Sequence, residues 1–174
     1  MFYKNVELPQ KLLRDDFVYP AITQKFDSTT YSVFRLSVND LSRDFVTWLI
    51  RRGLRPFHWS SILLFYAPPN SATSVHTDIG PQTFWALNSV LSDTQKITVK
   101  WHDCQLGEMK SNDVDYLIHS PDSPIISMAD IKNAICKIGF PHSSSNNSNE
   151  PMWLLSCRFA PRDIQWDELC TRLS

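Results

Sequence analysis

The chain has 174 residues, 43% hydrophobic and 20% charged, which is the length and balance of a single domain able to bury its own core, and not of a disordered chain. Seventeen basic against eighteen acidic side chains leave a formal net charge of -1. That is too little to draw the protein to phosphate backbones or anionic lipid, so a nucleic-acid partner is not expected. The four cysteines show no C-x-x-C pairing and read as reduced thiols. The N-terminal run MFYKNVELPQKLLRDD has no apolar stretch of signal-peptide length, and nothing approaches a membrane span. A cytoplasmic location is the expectation.

In chain order, Thr29 to Ser37 alternates and carries Tyr, Val and Phe, which predicts a strand. A helix follows, with Asn39 or Asp40 as cap, Leu41, Phe45, Trp48 and Leu49 at helical spacing, and Gly53 as terminator. Ser60 to Ala67 reads as a largely buried strand broken by Pro68-Pro69-Asn70-Ser71, and Thr83 to Leu91 as another. Lys96 to Trp101 alternates strictly, with Ile97, Val99 and Trp101 on one face. Gly107 to Met128 reads as loops. Asn133 to Phe140 and Met152 to Phe159 are predicted strands, separated by a polar loop from His142 to Pro151, and Asp163 to Leu173 is a short amphipathic helix. Short strands at roughly 8- to 12-residue spacing predict a mainly β (α+β) domain, a sandwich or barrel with flanking helices. The expected organisation is one domain over the whole chain.

Within this frame Val75-His76-Thr77-Asp78 stands out. In an extended segment residues i and i+2 share a face, so His76 and Asp78 aim an imidazole and a carboxylate at one point. His142, at the end of the strand that closes in Gly139-Phe140-Pro141, supplies a third ligand if a rolled sheet brings distant strands together. Two His and one carboxylate form the facial set of non-haem Fe(II) oxygenases, whereas structural zinc favours clustered Cys. On the last strand, alternation puts Met152, Leu154, Ser156 and Arg158 on one face and Trp153, Leu155, Cys157 and Phe159 on the other. An Arg among such residues needs an anionic partner, and a small dicarboxylic acid suits its planar fork. His102 is adjacent to Asp103, so the pair face opposite ways. His58 and His119 read as surface residues.

These residues resemble the 2-oxoglutarate- and Fe(II)-dependent dioxygenases. The resemblance rests on His76-Thr77-Asp78, on Phe140-Pro141-His142 with Asn146 or Asn147 following, and on Trp153 to Phe159 around Arg158. It also takes in Trp85-Ala-Leu-Asn88 and the strand ending in Trp101, and so spans Ile62 to Phe159. The pattern looks like the small bacterial and phage members related to aspartyl/asparaginyl and prolyl hydroxylases. It implies a double-stranded β-helix, a cupin-like jelly roll. It further implies that His76, Asp78 and His142 ligate Fe(II), that Arg158 binds the distal carboxylate of 2-oxoglutarate, and that Tyr66 and Asn88 lie where cosubstrate-binding polar groups often stand. Many members carry Ser two residues after the arginine. Here that position is Ala160, and the nearby hydroxyl is Ser156, two residues before Arg158.

The implied activity uses 2-oxoglutarate and dioxygen as cosubstrates and hydroxylates a protein side chain, amino acid or small metabolite, with release of succinate and carbon dioxide. Two other readings stay open on the residues alone: a cupin-like protein that binds metal or a small acid, such as an isomerase, and a fold retained without turnover.

Overall fold

The computed structural model describes residues 1–22, 31–55, 61–78, 85–103, 110–111, 116–118, 122–160 and 164–174. The chain begins with β1 (Tyr3–Asn5) and β2 (Ser32–Leu36), followed by helix α1 (Arg43–Arg51). Then come β3 (Ile62–Ala67), β4 (Ser71–Ala72), β5 (His76–Asp78), β6 (Trp85–Val90) and β7 (Ile97–His102). After β8 (Lys110–Ser111) and β9 (Tyr116–Ile118) run β10 (Ile125–Ile131), β11 (Asn133–Lys137), β12 (His142–Asn146) and β13 (Met152–Phe159), and α2 (Trp166–Arg172) closes the chain.

Two antiparallel sheets result. One has the order β1-β11-β6-β13-β3-β2, and the other β10-β7-β12-β5-β9-β8, with β4 added beside β12. Along the chain β3, β6, β11 and β13 of the first sheet interleave with β5, β7, β10 and β12 of the second, and each step crosses between the sheets except that from β7 to β10, which pair with each other. This winding is a double-stranded β-helix, extended at its edges by β1, β2 and the β8–β9 pair.

Alternation along the first sheet divides the core in two. Ile62 and Leu64 of β3, Leu87 of β6 and Leu155 and Phe159 of β13 point away from the second sheet and pack against Phe45 and Leu49 of α1 and Leu169 of α2. Between the sheets lie Ala86, Val90, Ala134, Cys136, Met152 and Leu154, against Ile97, Val99 and Trp101 of β7 and Ile131 of β10. Each large apolar side chain removed from water contributes roughly 1.5–3 kcal/mol, and this helix-covered layer holds the first sheet rigid.

Several expectations are corrected. The cap of α1 is Ser42, whose hydroxyl accepts from the Phe45 amide at 3.1 Å. Asp40 instead completes a capping box with Ser37 on a short 3-10 turn at Val38–Asp40. Gly53 does terminate α1, in the left-handed region at φ 64, and a side chain there would also meet Arg172. The stretch read as loops contains β8, β9 and the start of β10. The polar run from His142 opens as β12, a central strand paired with β7 on one side and with β4 and β5 on the other. Its Asn146 is fully buried and donates to the carbonyls of Pro68 and Glu150, at 3.0 and 2.9 Å, bonds that let a polar sequence occupy the interior. Among the described residues, no helix is long and apolar enough to cross a membrane.

Candidate metal centre

The site begins with β5. His76 and Asp78 lie on one face of this strand, while Thr77 between them is buried on the other. In the adjacent β12, His142 is the register partner of His76, and antiparallel pairing sets the two rings 4.5 Å apart between centroids. His76 Nε2 lies 3.7 Å from Asp78 Oδ1, and one ligand atom from each of the three residues falls within 4.8 Å of the others. Two donors bound at right angles to a common ion lie about 3 Å apart, so small side-chain rotations bring this group to coordinating distance.

Both imidazoles are oriented the same way. Nδ1 of His76 donates to the Ser74 carbonyl at 2.8 Å, and Nδ1 of His142 to the Phe140 carbonyl at 2.8 Å. A carbonyl only accepts, so Nδ1 carries the hydrogen and Nε2 the lone pair, as metal-ligating histidines held by outer hydrogen bonds do. Burial, reinforced by His76 nearby, lowers the His142 pKa to about 4 despite the opposing pull of Asp78. The ring is neutral at physiological pH, the form that binds metal.

Arg158 reaches this centre from the other sheet. Its Nη2 donates to Asp78 Oδ2 at 3.1 Å, with the two side chains 16% and 12% exposed. Arg158 Nε is buried without a hydrogen-bond partner among the described residues. A buried donor of this kind is costly unless a ligand satisfies it.

These groups line one cavity of about 510 Å³, which Asn88 and Ser156 also face. Those two are register partners on β6 and β13, so the sequence-derived set of His76, Asp78, His142, Asn88, Ser156 and Arg158 converges. Tyr66 does not. It shares the outward face of β3 with Ile62 and Leu64, and its ring lies 5.0 Å from that of Trp153. The cavity-facing residues of β3 are Leu63 and Phe65, and sequence reasoning missed Tyr31 and Arg35, which line the wall beside them. The alternation of Thr29 to Ser37 did put Tyr31, Val33 and Arg35 on one face; nothing local says which face meets the cavity.

His102 is buried and holds structure: Nδ1 lies 3.0 Å from the Ser123 carbonyl and Nε2 3.0 Å from the Ser143 hydroxyl. His58, His119 and Cys104 lie outside the described residues. Cys136, Cys157 and Cys170 are free thiols, and burial pushes the first two up to about 12, so they stay protonated.

A scan against protein-family models and a search of curated proteins give no match. Similar solved structures include Peruvianin-I, a cysteine peptidase from Thevetia peruviana latex, at 13% identity and TM-score 0.44, covering 84% of this chain and 73% of that one. An uncharacterized conserved protein with a double-stranded beta-helix domain from Klebsiella pneumoniae is 17% identical, with TM-score 0.32 over 57% of this chain and 65% of that one. Oxalate oxidase in complex with glycolate is 11% identical, with TM-score 0.38 over 92% and 74%. The fold rests on the strand order described above.

Proposed function

We propose that this protein is a non-haem Fe(II)- and 2-oxoglutarate-dependent dioxygenase that hydroxylates a small molecule or a single side chain. One observation carries the reading: a facial set of two imidazoles and one carboxylate shares a cavity with a guanidinium that has a donor to spare.

The donor set fits the ion. Imidazole and carboxylate in a two-to-one ratio suit Fe(II), and three protein ligands leave positions for other ligands. The charges favour an anion: Asp78 and Arg158 offset each other, so a divalent ion, with Arg35 on the same cavity wall, leaves a net positive charge that suits a dicarboxylate. When bound, iron and 2-oxoglutarate together supply the oxidant that inserts one oxygen atom of dioxygen into a C–H bond, with succinate and carbon dioxide as coproducts.

The chain's own residues bind and orient. His76, Asp78 and His142 hold the ion. Arg158 receives the far carboxylate of the cosubstrate, and Asn88 and Ser156 offer hydrogen bonds along the same wall. Leu63, Phe65 and Val99 exclude water and narrow the space in which substrate sits.

Anaerobic titration of iron-loaded protein with 2-oxoglutarate tests this. A visible metal-to-ligand charge-transfer band is expected in the parent, lost in His76→Ala and shifted to much higher concentration in Arg158→Ala. A protein that binds the metal yet shows no band and forms no succinate in air is instead the cupin-like metal or small-acid binder.

A further inference from the structure

The two oxygens of Asp78 have different surroundings. Oδ1 faces His76 Nε2 at 3.7 Å, where the three ligand atoms converge, and Oδ2 accepts from Arg158 Nη2 at 3.1 Å. We infer that Arg158 is a positioning residue for the metal, holding Asp78 by Oδ2 so that Oδ1 alone is presented to the ion, before any acid enters the cavity. The inference rests on the metal-binding part of the reading above and is independent of 2-oxoglutarate.

The fold explains why such a strut is needed. Strand pairing fixes the backbone of Asp78, which is the register partner of Tyr116 on β9, but leaves its carboxylate on a side chain with two rotatable bonds. Arg158 stands on an eight-residue strand paired on both sides, its amide bonded to the Ser61 carbonyl at 3.0 Å and Ala86 its register partner on β6. That strand is backed by the helix-covered core. The small Ala86 side chain leaves room beside the guanidinium, whose planar fork keeps a fixed direction once its stem is packed. A rigid sheet therefore fixes a ligand carried by the opposite sheet. Because Nη2 serves Asp78 while Nε stays unpartnered, the same guanidinium takes up an incoming carboxylate without releasing the metal ligand.

Electrostatics alone predicts the reverse effect. Removing a positive charge beside a cation site tightens cation binding, whereas removing an outer-shell partner that orients a ligand typically weakens it by about 10- to 100-fold. The direction of the change decides.

The test is Mn(II) affinity of the full chain without 2-oxoglutarate, read from the electron paramagnetic resonance signal of free Mn(II). Arg158→Ala and Arg158→Met are each expected to bind about 10- to 100-fold more weakly than the parent. Arg158→Lys, which keeps a donor and a charge, falls between. Methionine preserves the stem, so it decides the matter if the alanine variant does not fold by urea unfolding. Unchanged or tighter binding in the folded variants overturns the inference. A parent that fails to bind Mn(II) ends both this inference and the metal site itself. A parent that binds Mn(II) but not 2-oxoglutarate ends only the cosubstrate assignment.

Discussion

The two faces of β13 do different work within one strand. Outward, Trp153, Leu155, Cys157 and Phe159 join the layer under the helices. Inward, Met152 and Leu154 close the inter-sheet core, and Ser156 and Arg158 open into the cavity. Stability and chemistry are thus one residue apart, and a single-residue slip in register would exchange them. The contrast explains how an arginine survives so near a hydrophobic layer: its side chain leaves that layer and meets Asp78.

Substitutions on either side test this division. The largest expected effect lies on the cavity side, where His142→Ala takes metal binding from stoichiometric to undetectable by equilibrium dialysis while the folded sheet persists by circular dichroism. On the outward side Phe159→Ala costs about 3–5 kcal/mol of unfolding free energy in urea, as truncation of a fully buried ring does. Metal affinity of the folded protein stays at the parent value, and a change in affinity beyond a fewfold would show that the faces are not independent.

Protonation acts on the cavity side, at His142 of β12. In metal-free protein His142 titrates at about 4, against an ordinary 6.5, so the unfolded chain binds its proton more readily than the folded one. This contribution to stability is complete above pH 6.5 and is lost as pH falls towards 4, by roughly 3 kcal/mol. Urea midpoints at pH 7.5 and pH 4.5 measure it, and His142→Gln flattens that part of the profile.

A smaller effect is expected for the cosubstrate. Arg158→Ala loses charge-assisted hydrogen bonds of about 1.5–3 kcal/mol, or about 10- to 100-fold in 2-oxoglutarate affinity by calorimetry. Smallest is Tyr66→Phe, on the outward face of β3, which leaves that affinity within about twofold; a large loss would mean that the phenol reaches the cavity after all.

Much of the fold was legible because local chemistry agreed with it. Met152 to Phe159 appears as read, with both faces correctly sorted, and the spacing of His76 and Asp78 needed only an extended backbone. Polar β12 was not legible. His-Ser-Ser-Ser-Asn has the composition of a loop, and it becomes a strand because β7, β5 and β4 supply partners from far along the chain. Tyr66 was misplaced for a related reason: β3 is apolar on both faces, and such a strand does not announce which side meets a cavity.

By itself the sequence determined the alternation of each strand, the shared direction of His76 and Asp78, and an arginine one face away from a hydrophobic layer. Those properties follow from the two-residue period of extended backbone. Only the tertiary structure decided that His142 stands opposite His76, that Arg158 holds Asp78 across the space between the sheets, and that Tyr66 faces outward. Each depends on which distant strands pair and in what register, and that is settled by burial and hydrogen bonding across the whole sandwich.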